Sequence, residues 1–247
     1  QAKGRGAEVP DRPLVFTKNI ASIVLDGEDV VVPASCRDPE TGGEQVDFEG
    51  ELAVVIGRPA RDVPPEAALE CVLGYCIAND VSARWWQKQG GGGQFWRGKS
   101  FDTFCPLGPE VMPADAVGDP QSLCITTRVA GEVMQRGTTA DMIFPVATLI
   151  AELSRSTTLV PGTVILTGTP AGVGAGRTPP RWLGDGETVE VEIDRLGVLR
   201  NTVRCGWATS PTRWHCTPPI VAGTHVEAQE GQRGEPRACD RESQGPP

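Results

Sequence analysis

Asp47, Glu49 and Glu51 stand at alternate positions in Asp47-Phe48-Glu49-Gly50-Glu51-Leu52-Ala53-Val54-Val55-Ile56. An extended strand sends successive side chains to opposite faces. The three carboxylates therefore share one face, and Phe48, Leu52, Val54 and Ile56 take the other. Like charges at that spacing repel. A hard divalent cation such as Mg²⁺ or Mn²⁺ would neutralise them, because such ions favour oxygen ligands. An acidic face in water is the plainer alternative. Ala53 and Val55 continue the acidic face as apolar, which suits a buried site better than a wet edge.

Three further segments carry groups of this kind. In Ile77-Ala-Asn-Asp80-Val-Ser-Ala-Arg84, with Gln87 one turn on, Asp80 stands where an apolar run leaves the core. It reads either as a third oxygen ligand or as the N-cap of a following helix. Gly98-Lys99-Ser100-Phe101-Asp102 follows a glycine-rich loop. Gly93 to Ser100 matches the phosphate-loop pattern literally, but no apolar strand precedes it, as a nucleotide-binding loop requires. Lys99 can instead hold a substrate carboxylate or move a proton. In Leu166-Thr-Gly168-Thr169-Pro-Ala-Gly-Val-Gly174 a strand opens into a glycine-rich turn. Its backbone N–H groups can cradle an anion, or it is a plain turn.

Composition limits the remaining chemistry. The two histidines of the 247-residue chain are His215 and His225, so any His-ligated zinc, Ser-His-Asp triad or His base would need the C-terminal segment. Lys plus Arg number 23 against 32 Asp plus Glu, a net charge of −9, which argues against a nucleic-acid surface. No run approaches the roughly 18 apolar residues of a membrane span. The eight cysteines form no C-x-x-C pair, and Cys71, Cys76 and Cys124 lie in apolar runs. A reduced, intracellular chain is expected. It opens on Gln1-Ala-Lys-Gly-Arg, with neither Met nor an apolar signal core, and reads as a chain whose natural start is missing.

The elements that must position these groups are short. Gly (30) and Pro (22) are plentiful, so turns and strands should outnumber helices. Ile20–Leu25 and Asp29–Val32 flank Asp26-Gly27-Glu28 as an expected hairpin. Phe48–Ile56 reads as a longer strand, and Pro64–Asn79 as a helix running into a strand. Leu123–Val129, Thr163–Thr167 and Thr188–Ile193 are further strands, and Met142–Ser154 a helix. Gly90–Gly93 reads as a flexible loop. With no βαβ rhythm, an α+β, mostly-β roll or sandwich is expected. Apolar residues thin out after residue 205. Residues 206–247 are expected to be a disordered tail and 14–205 the folded domain.

Together, Glu49-Gly-Glu51-Leu, Asn79-Asp80-Val-Ser-Ala-Arg84, Gly98-Lys99-Ser-Phe-Asp102 and Thr167-Gly-Thr169-Pro170 resemble the fumarylacetoacetate hydrolase (FAH) superfamily over roughly residues 5–205. Cys105-Pro-Leu-Gly-Pro109, Pro179-Pro180 and Leu196-Gly-Val-Leu199 look closest to its type-2 domain-containing branch. The resemblance implies a mixed β-sandwich roll, a homodimer, and one Mg²⁺ or Mn²⁺ held by Glu49, Glu51 and Asp80. It implies Lys99 and Gln87 as catalytic groups, and Lys18, Gly168 and Thr169 at the substrate. It implies action on 2-oxo acids and their enols: tautomerisation or isomerisation, C–C hydrolysis or decarboxylation. The type-2 branch looks like oxaloacetate tautomerases. The chain is expected to be intracellular, either mitochondrial or cytosolic. Hydrolytic and decarboxylating members carry a His and, three residues on, a Glu in a lid helix. Counting back from Val9-Pro10 to Lys18, those positions fall on Gln1 and Gly4, so the resemblance implies that residues 1–13 are the remnant of a truncated N-terminal lid. Tautomerisation of a 2-oxo dicarboxylate is therefore expected ahead of C–C hydrolysis, with a catalytically inactive binding subunit as the other alternative.

Overall fold

The computed structural model describes residues 10–206. The lid positions Gln1 and Gly4, and nearly all of the expected tail, lie outside them. The described chain holds β1 (Ile23–Leu25), β2 (Asp29–Pro33), β3 (Val46–Asp47), β4 (Gly50–Ile56), α1 (Pro65–Ala68), β5 (Val72–Asn79), β6 (Ser82–Ala83), α2 (Trp96–Lys99), β7 (Cys105–Pro113), α3 (Ala114–Val117), β8 (Cys124–Val129), β9 (Glu132–Thr138), α4 (Val146–Ser154), β10 (Val164–Leu166), β11 (Thr188–Ile193) and β12 (Gly197–Gly206).

Two five-stranded sheets run in the orders β1-β7-β5-β4-β10 and β2-β12-β11-β8-β9, with a two-stranded ribbon β3-β6 beside them. β1 with β7 and β2 with β12 are parallel, and the other pairings are antiparallel. The main core lies between the sheets. Leu52, Val54, Ile56, Tyr75 and Ile77 of the first meet Ile125, Val191, Ile193 and Leu199 of the second. Fully burying one such side chain stabilises the fold by about 1.5–3 kcal/mol. A second core packs Val30, Val129, Val189 and Val203 against Val46, Phe48, Ala83, Phe101 and Phe104. The mixed sandwich expected from the sequence is the observed architecture.

Local outcomes differ in instructive ways. β1 and β2 are not a hairpin: one joins each sheet. The Asp26-Gly27-Glu28 turn is held instead by β12, with Gly27 N–H donating to the Arg200 carbonyl and Asn201 Nδ2 to the carbonyls of Leu25 and Glu28. The expected Phe48–Ile56 strand breaks at Phe48-Glu49, between β3 and β4. α4 starts at Val146 rather than Met142, because the residue before Pro145 is steered away from helical angles. Gly90–Gly93 is more closely built than a flexible loop. Gly90 ends a π-helix (Trp86–Gly90), and a Cβ there would lie 2.1 Å from the Trp85 ring. The Gly93–Ser100 segment has no preceding strand and folds as the short α2, so it is no phosphate loop.

Candidate metal centre

β4 places Glu51 on the face it shares with Ala53 and Val55, which packs with Cys76 and Ala78 of β5. Every residue of β4 is buried, so the acidic face does not lie in water. Gly50 lets the two sheets approach here. A Cβ on it would stand 2.2 Å from Thr127 Oγ1 of the second sheet. Gly50 is anchored at both ends of its peptide units: its N–H donates to Gln135 Oε1 at 3.1 Å, and its carbonyl accepts from Thr169 Oγ1 at 2.8 Å. Glu49 N–H donates to Asn79 Oδ1, and Asp80 N–H donates to the Glu49 carbonyl. That pairing brings the end of β5 to the start of β4. Asp80 follows directly from β5 and caps no helix.

Glu49, Glu51 and Asp80 each offer a carboxylate oxygen within 4.8 Å of the others, and all three residues are buried. Lys99, 1% exposed, reaches in from the end of α2, with Nζ 2.9 Å from Glu49 Oε2 and 2.5 Å from Asp80 Oδ2. Lys18 Nζ donates to Asp80 Oδ1 at 2.6 Å. It arrives on the irregular segment preceding β1, which is tied down by Asn19 N–H on Ser100 Oγ. On the same segment Phe16 stands 5.0 Å from Lys99 Nζ and packs edge-on to Phe95. Gln87 joins the site through Arg84, whose Nη1 donates to Gln87 Oε1 at 2.8 Å.

The charges are unevenly matched. Burial, then the neighbouring Asp80 and Glu49, push the Glu51 carboxyl well above the ordinary carboxylate range. Its hydrogen-bond donor is neutral, the Gly168 N–H at 2.7 Å. Burial would also raise Asp80, but Lys18 and Lys99 outweigh it and hold Asp80 below its usual value. Burial works against the Lys99 ammonium too, and Asp80 and Glu49 overcome it, raising Lys99. Three hard oxygen donors with one carboxylate under-compensated form a donor set suited to Mg²⁺ or Mn²⁺.

The eight residues to which the resemblance gives a role lie in or against this cluster, two of them engaged differently than expected, whereas Asp47 does not share the face of Glu51: the chain breaks strand at Phe48-Glu49 and Asp47 turns to Arg84. The glycine-rich turn after β10 meets a carboxyl group of the protein itself: Gly168 N–H donates to Glu51 Oε2. The Thr169 hydroxyl faces inward, accepting from Gln135 Nε2 and donating to the Gly50 carbonyl. Gln135 was not anticipated. Its signal was a polar residue at a fully buried position of β9.

The profile of the fumarylacetoacetate (FAA) hydrolase C-terminal family matches residues 1–204. The chain belongs to this family. The human mitochondrial protein named oxaloacetate tautomerase FAHD2A is 46% identical over 201 residues, 81% of this chain and 62% of that relative. YisK of Bacillus subtilis, also named an oxaloacetate tautomerase, is 42% identical over 200 residues, covering 81% and 64%. The chain thus spans less than two thirds of the length of these relatives. Among solved FAH-family structures, the fumarylacetoacetate hydrolase of Exiguobacterium antarcticum superposes with a TM-score of 0.71 at 45% identity, over 78% of this chain and 67% of that one. A 5-carboxymethyl-2-hydroxymuconate delta-isomerase from Mycobacterium smegmatis gives 0.70 at 40% identity, covering 83% and 74%.

Proposed function

We propose that this chain is a Mg²⁺- or Mn²⁺-dependent keto–enol tautomerase of 2-oxo dicarboxylates of the oxaloacetate type. The observation that carries the reading is the buried Glu49–Glu51–Asp80 cluster with Lys99 and Lys18 against it. Glu49, Glu51 and Asp80 would hold the ion, which would supply a Lewis acid for the C2 oxygen of the substrate. Lys99, kept as an ammonium by its carboxylate neighbours, donates a proton to C3 of the enol. The enol hydroxyl proton leaves to solvent, and the amine recovers one from water. Lys18 and Gln87 orient the distal carboxylate. Gly168 and Thr169 shape the pocket wall through backbone, since the Gly168 N–H and the Thr169 hydroxyl are already engaged within the protein. This exchange moves protons only, so it asks for no activated water and no histidine.

The test is direct. With Mg²⁺ present, the purified chain should speed the decay of enol-oxaloacetate ultraviolet absorbance well above the buffer rate, and chelation with EDTA should abolish the gain. A rate equal to buffer, unaltered by the metal, overturns the reading. Cleavage of an acylpyruvate at a comparable rate would move the chain to the C–C hydrolases instead.

Homodimerisation is part of the same proposal. Leu107, Val164 and Leu166 are only partly buried where they border the Ala53, Val55, Cys76 and Ala78 cluster, and Ile23 and Leu25 are exposed on the edge strand of the same sheet. Light scattering should give twice the 26.2 kDa chain mass, and Val164→Glu should return it to one. A monomeric wild-type chain refutes this part. No helix among the described residues is long and apolar enough to cross a membrane. A mitochondrial or cytosolic location is proposed from the relatives named mitochondrial.

A further inference from the structure

Asp47 is fully buried, yet it touches neither Glu51 nor Asp80 through any hydrogen bond. Its Oδ1 accepts from the N–H of Phe48 at 2.9 Å and of Gly174 at 2.7 Å. Its Oδ2 accepts from Ala175 N–H at 2.9 Å and from Arg84 Nε at 2.8 Å, with Arg84 Nη2 2.7 Å away in the same ion pair. Nothing else in the proposed chemistry uses this carboxylate. Gly174 is needed for the arrangement: a Cβ there would fall 1.8 Å from the Arg181 carbonyl and 2.7 Å from Asp47 Oδ1.

The grip on Arg84 has a consequence at the metal centre. A guanidinium is a rigid planar fork, so fixing one edge fixes the rest. With Nε and Nη2 on Asp47, Nη2 also reaches Glu49 Oε1 at 2.6 Å, and Nη1 reaches Gln87 Oε1 at 2.8 Å. One residue thus orients a ligand carboxylate and a substrate-side amide together. We propose that Asp47 is a positioning residue that acts through Arg84, holding Glu49 in the orientation in which it ligates a divalent cation and setting Gln87 beside it. Outer-shell partners of metal-ligating carboxylates typically matter by 10–100-fold in affinity. This inference rests on the metal-centre reading above.

The experiment uses Mn²⁺ itself as the probe, read by electron paramagnetic resonance without substrate. Arg84→Lys keeps the positive charge but replaces the rigid planar fork by a single ammonium on a flexible stem, which cannot fix Asp47, Glu49 and Gln87 in one plane. It should stay folded by circular dichroism and bind Mn²⁺ at least about tenfold more weakly than wild type. Asp47→Asn should weaken binding to a similar degree. The double variant should be no weaker than the worse single one, because residues acting through one another are non-additive. Imidazole-free turnover assays should show KM and kcat changing together in Arg84→Lys, as both Glu49 and Gln87 are released. If Asp47→Asn does not fold, Arg84→Lys alone decides. Wild-type affinity in a folded Arg84→Lys variant, or additive losses in the double variant, overturns the proposal while leaving the metal centre intact. A wild-type chain that binds no Mn²⁺ overturns the metal centre and this inference with it.

Discussion

Lys99→Met should cost the EDTA-treated protein about 3–5 kcal/mol of unfolding free energy, the usual scale for removing one partner of a buried ion pair. Methionine matches the apolar stem of lysine but leaves Glu49 and Asp80 without the ammonium that lies 2.9 and 2.5 Å from them. Three buried carboxylates then face one another with Lys18 and Arg84 as the remaining cations. The same substitution should tighten Mg²⁺ binding, since the competing cation is gone, while turnover collapses for want of a proton donor. Urea unfolding with and without Mg²⁺ reads all of this: a large loss in EDTA, mostly recovered in Mg²⁺. Equal stability to wild type in EDTA would show that Lys99 does not balance the cluster.

Glu51→Gln should act in the opposite direction. Glu51 sits well above the ordinary carboxylate range because of burial and of Asp80 and Glu49 beside it. A carboxyl raised in the folded state stabilises the fold when protonated. That contribution is present below its unfolded value of about 4.3 and is lost as pH rises toward the raised one. Glutamine is permanently neutral and can still accept the Gly168 N–H. The variant should therefore be at least as stable as wild type at pH 8 in EDTA. It should nevertheless lose turnover more than about 100-fold, since ligand loss exceeds outer-shell effects. Wild type should bind Mg²⁺ more tightly as pH rises, because the cation displaces a proton from Glu51, and the variant should show no such slope. At a Mg²⁺ concentration 100 times Kd, wild type gains about 2.7 kcal/mol, and the variant's melting curve should not respond. An unchanged response would remove Glu51 from the ligand set.

These two variants concern residues that announce themselves. Glu49 and Glu51 carry charge at strand period beside small apolar residues, and Lys99 and Asp80 sit at the ends of recognisable segments. The supports were harder to see. Arg84 reads as an ordinary cation after a strand, and the amides that hold Asp47 come from Gly174 and Ala175, far along the chain. Gln135 acts by its depth in β9, which single-residue patterning does not convey. In the fold, β11 was plain from its alternation of Thr, Val, Glu and Ile. β7 was hidden, because Pro106, Pro109 and Pro113 interrupt its pattern. The supposed hairpin failed for a related reason: both of its arms find partners distant in sequence, β7 and β12, rather than each other.

That last arrangement bears on how the molecule acquires its structure over time. Antiparallel neighbours such as β8 with β9 and β11 with β12 close short loops. The parallel pairings of Ile23 with Cys105 and of Asp29 with Thr202 must close long ones. Long-range pairing carries the larger entropic toll and is the slow step in forming sheets. The segment bearing Phe16 and Lys18 leads directly into β1, so it docks when that edge docks. During refolding the carboxylates gathered by β4 and β5 should pass through a stage in which Asp80 is still open to water, and Lys18, on the segment leading into that edge strand, closes it last.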